Sequence, residues 1–364
     1  SSSAVMVVVV SSRTVRSGTP AHVISNRLSD CLQSRSIKTR FSKSEGNNMA
    51  KCRNTSFCKF TIRLYAAGGG EAAAGEEGAG GTGILVEVQR LCGDYVSFMK
   101  DCRALLNAAE GKAIEECSDS HDDQPLYLRL PVSEMAFVKT VSLPPVTHEE
   151  EAESLNVTSE LLSSRQSDSN MLGMESLAIQ TDPVKTLKST AMLASRRILC
   201  PTDVGNVSFN MHNYVMSLLI YGNEDASSSE DEPEDTTTTI TALEDHSSKL
   251  RNLAMSSLHN ALSLFASERL LLPAISDNEE WYASVLIPKL LHDLRSAEHN
   301  PHDACYASRC LSTLAECSGE FASRMNEGGA VDILKTAEEV GSREFALLAR
   351  DAGSCRQKML SCCV

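Results

Sequence analysis

Residues 276–334 constrain the fold of this chain more than any other stretch. Apolar residues recur there at intervals of three and four, the spacing of one face of an α-helix. The two apolar sets are Val285, Leu286, Leu290, Leu291 and Leu294, then Ala304, Ala307, Leu311, Leu314 and Ala315. Between them, Asn300 and Pro301 are an expected N-cap and first helical residue. Further on, Gly328 and Gly329 permit the positive φ of a helix end. The stretch therefore predicts short antiparallel helices packed on one another.

The same pattern recurs along the chain. Leu290 and Ile333 lie 43 residues apart, as do Leu294 and Ala337, within the period of about 40–47 residues known for helical repeats. The set Ala307, Leu311, Leu314 and Ala315 matches Ala254, Leu258, Ala261 and Leu262 at a shift of 53, and Ala191, Ser195, Ile198 and Leu199 at a further shift of 63. The acidic run 223–239 accounts for the longer interval, and no clear insertion explains the shorter one. On this pattern, Leu311 is expected to be buried between successive helices.

The order of these parts resembles an armadillo-type repeat. Residues 287–291 resemble its second helix, and residues 307–315 resemble its long third helix. In the next unit, residues 320–327 resemble the short first helix and residues 329–334 begin the second helix. The resemblance implies a mainly α fold with an armadillo-like α-solenoid over residues 171–360. It also implies a non-enzymatic intracellular scaffold or adaptor that binds a protein or an extended peptide.

The resemblance also implies a set of partner-binding residues. In armadillo proteins the third helices line a groove, where a recurrent asparagine contacts the backbone of an extended peptide. The matching residue here is Asn260, and the aligned positions hold Thr313 and Arg197. The alternative for Asn260 is an ordinary exposed helix residue. Arg196, Arg197 and Arg309 would make the groove basic and favour an acidic partner.

A small α+β module is expected at residues 59–131. Apolar and polar residues alternate in 60–65 and again in 83–91, which predicts a β-hairpin with a long loop. A helix is expected at 95–110, with Val96, Met99, Cys102, Leu105 and Leu106 covering the sheet, and another strand at 126–130.

The runs KFTIRLY and ILVEVQRLCGDYVSFMKDCRALL in this module are similar to the kinase-associated domain of AMP-activated-type kinases. That family has members that bind anionic lipid headgroups or hold a kinase in check. The resemblance implies an alternative function, a regulatory subunit recruited to a kinase or an anionic membrane. Lys51, Arg53, Lys59 and Arg63 would supply the basic contacts, although basic residues on edge strands also serve to prevent aggregation.

Three other segments read as irregular. Residues 1–58 show no apolar periodicity and are expected to be disordered. Within them, residues 1–48 are rich in Ser and Arg, the composition of an organelle transit peptide. The alternative is that residues 1–48 lie upstream of a native start at Met49. Residues 132–170 read as a linker containing a helix through Leu162, and 222–246 as an acidic loop with nine acids and no Lys or Arg. Ser227, Ser228 and Ser229 in that loop resemble casein-kinase-2 acceptor sites, although a plain solvated loop has the same composition.

Composition excludes several classes of function. The net charge of −14 disfavours nonspecific binding to nucleic acid. Thirteen scattered cysteines are typical of reduced thiols in an intracellular protein, in the cytoplasm or nucleus. His299, His302, Cys305 and Cys310 come closest to a zinc set, but their spacing is not that of a zinc site, so no metal or cofactor is expected. Phosphate-loop, nucleophile-elbow and HExxH motifs are absent from the sequence, so we expect no enzymatic activity.

Overall fold

The computed structural model describes residues 10–15, 19–44, 47–67, 83–112, 148–200, 209–221 and 237–362. The fold is mainly helical, with a small antiparallel sheet in the N-terminal part. The chain divides into two compact units. The first comprises residues 1–31, 41–51 and 58–151, and the second comprises 32–40, 52–57 and 152–364.

The described residues of the N-terminal part form five strands and two helices. They are β1 (Val10–Val15), α1 (Ala21–Ser34), β2 (Lys38–Ser44), β3 (Asn47–Arg53), β4 (Lys59–Ala67), β5 (Gly83–Cys92) and α2 (Tyr95–Ala109). The strands lie in the order β1-β5-β4-β3-β2, and both β1 and β4 pair antiparallel with β5.

The predicted hairpin and its following helix are confirmed. Ile62 of β4 lies opposite Val88 of β5, and both side chains are buried. Asp94 caps α2 by accepting a hydrogen bond from Ser97 N at 2.6 Å. The face of α2 is slightly rotated from the prediction, because Phe98 is buried and Val96 is 58% exposed. The expected strand at 126–130 lies outside the described residues.

Within residues 1–58, which the sequence predicts to be disordered, the structure describes β1, α1, β2 and β3. In α1, Ile24, Leu28, Cys31 and Leu32 are buried at the spacing of one helix face. Polar residues fill most of the other positions, so this apolar face is narrow. Packing of this narrow apolar face overrides the low local propensity.

Eleven helices of five or more residues belong to the C-terminal part that the structure describes. They are α3 (His148–Ser163), α4 (Ser167–Gln180), α5 (Lys188–Leu199), α6 (Met211–Tyr221), α7 (Thr237–Ser267), α8 (Leu271–Ile275), α9 (Ile287–Arg295), α10 (Pro301–Cys317), α11 (Gly319–Glu327), α12 (Ala330–Glu344) and α13 (Ala346–Cys362). A 3₁₀ turn, a short helical turn and a π-helix connect α8 to α9 over residues 276–286.

The predicted third helices pack in sequence order. Helix α5 packs on α7, α7 on α10, and α10 on α13. Leu311 of α10, Leu258 of α7 and Ser195 of α5 are completely buried, so the predicted burial of Leu311 is confirmed. In α13, Ala352, Cys355 and Met359 are also buried, each 45 residues after Ala307, Cys310 and Leu314. Only two of the four pattern positions recur there, because Leu311 corresponds to Arg356 and Ala315 to the exposed Leu360.

The second-helix positions also pack on one another. Helix α9 packs against both α10 and α12, and α12 packs against α13. Gly341 of α12 allows the closest approach to α13, since a Cβ there would lie 2.3 Å from Ala349 N. Gly329 has the expected positive φ, 75°, whereas Gly328 has φ −74°.

One expected helix start is wrong. Asp182 and Pro183 predict a helix start, with the helix over 184–199, but α5 begins at Lys188, because Asp182 Oδ1 accepts a hydrogen bond from Val184 N at 3.0 Å and holds a turn. Asn300 occupies the N-cap position of α10, but within the described part of the chain its side chain caps no N–H group.

The boundaries of the expected linker and acidic loop also change. The helix that the sequence predicts within the linker at 132–170 forms as α3, and its Leu155 and Leu162 belong to the helical core. Residues 237–246 of the expected acidic loop form the first turns of α7. Extending a helix costs less than starting one, so the strongly periodic segment that follows accounts for these extra turns.

Two short segments from the N-terminal part complete the second unit. In residues 32–40, Ser36 Oγ accepts a hydrogen bond from Leu347 N at 2.7 Å. In residues 52–57, the ring of Phe57 lies 5.3 Å from that of His302. Both contacts lie near the first turn of α10 or the start of α13.

Candidate binding surface

Polar side chains of α7, α10 and α13 form a connected surface that we call the third-helix face. It consists of His259, Tyr306, Arg309, Thr313, Arg350 and Asp351. The burial pattern of α10 produces it, because Ala307, Leu311 and Leu314 are fully buried while Tyr306, Arg309 and Thr313 stay half-buried. These outward positions follow at intervals of three and four, as required for one helical stripe.

Contacts between side chains link the three helices at this face. The rings of His259 and Tyr306 lie 6.1 Å apart between centroids. The guanidinium of Arg309 lies 5.2 Å from the ring of Tyr306, and its Nε donates to Asp351 Oδ2 at 2.6 Å. Arg350 Nε donates to the other carboxylate oxygen of Asp351 at 3.1 Å. One carboxylate therefore holds two guanidinium groups on adjacent helices.

The predicted groove asparagine is engaged within the chain. Asn260 is half-buried, and its Nδ2 donates to Ala178 O and to Thr181 Oγ1, both at 3.3 Å. The asparagine does contact the backbone of another segment, but that segment is the end of α4. Thr313 at the aligned position donates its hydroxyl to Arg309 O at 3.1 Å.

The predicted basic groove is only partly present. Arg309 pairs with Asp351, so α10 contributes no surplus positive charge at that position. Arg196 is exposed and Arg197 half-buried in the last turn of α5, where positive charge is favoured by the helix dipole. The structure therefore brings Thr313 and Arg309 together and leaves Arg196 and Arg197 on a different helix. Ser227, Ser228 and Ser229 lie outside the described residues.

A buried ion cluster lies between α7, α9 and α10. Arg251 is completely buried, and its guanidinium donates to Asp303 Oδ2 at 2.5 Å, to Asp293 Oδ2 at 2.6 Å and to Leu219 O at 3.2 Å. Asn252 Nδ2 donates to Asp303 Oδ1 at 3.0 Å. Burial raises the pKa of Asp293 although Arg251 opposes this. For Arg251, burial opposes the charge, but the two carboxylates raise its pKa overall. We assign Arg251 and Asp293 as an ionised pair, because the contact between the guanidinium and the carboxylate is short.

Sequence reasoning missed this cluster. A signal was present, since Arg251 precedes Ala254, Leu258 and Leu262 at helical spacing and so belongs to the buried stripe of α7. A charged residue on such a stripe requires buried partners of opposite charge.

The residues considered as zinc ligands differ in burial and in the direction of their pKa shifts. Burial lowers the pKa of His302 to about 3, with Arg53 and Lys38 lowering it further. Burial raises the pKa of the Cys305 and Cys310 thiols, which disfavours the thiolate that zinc requires. His299 is exposed. Across the described ranges, no three His, Cys, Asp or Glu side chains are placed to hold a metal ion together.

None of the ten cysteines whose side chains the structure describes forms a disulfide with another of them. No helix within the described ranges has a stretch long and apolar enough to cross a membrane.

Comparison with protein-family models, with curated proteins and with solved structures gave no match. The armadillo-type resemblance and the kinase-associated resemblance therefore stay predictions from the sequence.

Proposed function

We propose that this chain is a non-catalytic scaffold that binds an extended segment of a protein partner through the third-helix face. In this proposal α5, α7, α10 and α13 are successive third helices of an armadillo-like solenoid. The observation that carries it is the connected set of His259, Tyr306, Arg309 and Asp351, which spans three helices packed in sequence order.

The residue types of this face suit protein recognition. Tyrosine and arginine dominate the binding energy of many protein interfaces, because each buries a large area and also forms hydrogen bonds. Asp351 fixes Arg309, and Arg309 stacks on Tyr306, so less side-chain entropy is lost when a partner binds. We expect the partner to place an apolar or aromatic side chain on Tyr306 and an oxygen acceptor on Arg350, which is exposed.

Selection from a displayed library of extended peptides tests this proposal. Peptides selected on the full chain should bind the Tyr306→Ala variant about tenfold or more weakly, since truncation of a central interface tyrosine costs more than about 1 kcal/mol. Lys335→Ala is the matched control, because Lys335 is exposed on α12, away from this face. Failure to enrich any peptide, or equal binding to Tyr306→Ala and wild type, would contradict the proposal.

A second candidate function rests on an exposed patch of the first unit. Leu91, Tyr95 and Val96 are 42%, 50% and 58% exposed, and Arg90 lies 5.9 Å from the ring of Tyr95. Apolar side chains beside a cation are suited to an anionic membrane surface. Of the basic residues expected to help, Arg63 pairs with Gln89 at 3.2 Å and Glu87 at 3.6 Å.

Sedimentation with vesicles tests this second function. Vesicles containing phosphatidylserine should carry the full chain down, vesicles of phosphatidylcholine alone should not, and Tyr95→Ser with Val96→Ser should abolish the difference. Equal sedimentation with both lipids would eliminate this function.

A further inference from the structure

The two arginines of the third-helix face have hydrogen-bond donors to spare. Arg309 and Arg350 each donate Nε to Asp351, and their terminal Nη groups have no hydrogen-bond partner within the described part of the chain. The side chain of Arg350 is 69% exposed and that of Arg309 is 26% exposed, so a ligand can reach both. The planar fork of a guanidinium matches the two oxygens of a carboxylate.

A shared carboxylate holds the two guanidinium groups in place before a ligand binds. The side chain of Asp351 is only 9% exposed, and its two oxygens accept hydrogen bonds from Arg309 at 2.6 Å and from Arg350 at 3.1 Å. The guanidinium of Arg309 also lies 5.2 Å from the centroid of the Tyr306 ring. Side chains that are already fixed lose less conformational entropy when a partner binds.

The charge of this face is positive by one. The two arginines contribute two positive charges, and Asp351 contributes one negative charge. His259 adds no charge near neutral pH, because burial, together with the charge of Arg309, lowers its pKa to about 4. Further along α10 and α13, Glu316 and Lys358 pair with each other at 2.5 Å and their charges cancel. A surplus of one positive charge is matched by a monoanion such as a carboxylate and not by a phosphate dianion.

The spacing of the face suggests where the carboxylate stands in a bound segment. The Tyr306 ring, which can receive an apolar side chain, and the Arg309 guanidinium lie 5.2 Å apart. In an extended chain, residues two positions apart point to the same side and lie about 6–7 Å from each other. An acidic residue that reaches the arginines is therefore two positions away from the residue that packs on Tyr306.

We propose that the third-helix face recognises an extended segment in which Asp or Glu stands two positions from an aromatic or aliphatic residue. The carboxylate binds the Nη groups of Arg309 and Arg350, and the apolar side chain packs on Tyr306. This inference rests on the proposed scaffold function and specifies the chemistry of the partner. The net charge of the chain, −14, repels an acidic segment at long range, but physiological salt screens that repulsion beyond about 8 Å.

Two displayed peptide libraries test this inference on the full chain. Both fix a phenylalanine; one has glutamate two positions away on either side, as Glu-x-Phe-x-Glu, and the other has glutamine at both places. The symmetric pattern covers both directions in which a segment can cross the helices. We expect the glutamate library to be enriched more strongly. Changing both glutamates of a selected peptide to glutamine should weaken its binding about fivefold or more.

Variants of the protein assign the preference for glutamate to one side chain. Arg350→Gln removes one cation and should fold, because Arg350 is exposed. It should reduce the preference for the glutamate peptide over its glutamine counterpart to less than about twofold, since the two changes remove the same contact. Tyr306→Ala should weaken the binding of both peptides. Lys335→Gln removes a positive charge from the exposed surface of α12 and should keep the wild-type preference.

The outcomes distinguish this inference from the scaffold function. If wild type binds both peptides equally and Tyr306→Ala weakens both, the carboxylate inference is overturned and the scaffold function stands. If neither library yields a peptide that binds wild type, or if Tyr306→Ala binds the peptides as wild type does, both are overturned. A preference that survives Arg350→Gln, or that Lys335→Gln reduces equally, would also overturn the carboxylate inference.

Discussion

At the scale of single residues, the side chain of Arg251 on α7 contacts three other helices of the second unit. Its guanidinium binds Asp293 of α9, Asp303 of α10 and the end of α6. Arg251→Met would leave two carboxylates buried without their counter-ion, and we expect the free energy of unfolding to fall by about 3–5 kcal/mol. Urea denaturation measures this. Arg350→Met is the matched control, expected within about 0.5 kcal/mol because Arg350 is exposed. Equal effects of the two substitutions would contradict the buried cluster.

Leu311 and Asn260 test the assignment of helix faces. Leu311 is completely buried, so Leu311→Ala should cost about 2–5 kcal/mol. The sequence predicts almost no effect for Asn260→Ala, but the two hydrogen bonds of Asn260 to the end of α4 change that expectation to about 0.5–1.5 kcal/mol. Chemical denaturation of both variants measures the two changes in the free energy of unfolding. A cost for Leu311→Ala below that for Asn260→Ala would mean that the faces are wrongly assigned.

His302 makes stability depend on pH. Its folded pKa of about 3 lies below the unfolded value of about 6.5, so the unfolded chain binds the extra proton as the pH falls. The contribution of neutral His302 is therefore complete above about pH 6.5 and is lost as the pH falls toward 3, by roughly 3 kcal/mol at pH 4. His259, with a pKa near 4, acts in the same direction.

Denaturation of variants between about pH 7 and pH 4 isolates this contribution. His302→Phe should lose less stability over that range than wild type. A His302→Phe curve parallel to wild type would contradict the neutral, buried imidazole.

At the scale of elements, the contact between α12 and α13 depends on a glycine. A Cβ at Gly341 would lie 2.3 Å from Ala349 N and 2.9 Å from its Cα, both of them backbone atoms that cannot rotate away. We expect Gly341→Ala to cost about 1–3 kcal/mol through overpacking. Gly319→Ala is the matched helical control, since no described atom lies within 4 Å of a Cβ there. Thermal melting compares them, and a neutral Gly341→Ala would show that the helices lie further apart.

The elements predictable from the sequence were those with strong periodicity. Helices α9 to α12 follow from apolar spacing with Pro301 and Gly329 as breaks, and β4 and β5 follow from alternation. Helix α1 was missed because its four buried apolar residues stand among mostly polar ones, so its stability comes from tertiary packing. The start of α5 was misplaced because Asp182 and Pro183 favour a turn as readily as a helix start.

At the scale of the whole molecule, the spacing of apolar residues shows which residues share one face of a helix. It does not show which other segment of the chain packs against that face. Asn260 lies on α7, and Thr313 and Arg309 lie on α10, where the sequence predicts helices. The sequence could not show that the end of α4 meets Asn260, because Ala178 and Thr181 lie about 80 residues earlier in the chain. Nor could the sequence show that Asp351 pairs with Arg309, since these residues lie on different helices and 42 positions apart in the chain. Contacts between distant segments decide which polar residues stay available to a partner.

The central claim is that a protein segment binds along the third-helix face, and site-specific photo-cross-linking to a selected peptide tests it most directly. A photoreactive residue is placed at Thr313 on α10, at the exposed Ser354, one helical turn after Arg350 on α13, or at Glu339 on α12, which is exposed on a different surface. We predict that the peptide cross-links to positions 313 and 354 and that position 339 gives only background. Strong cross-linking at 339 with none at 313 or 354 would contradict the account.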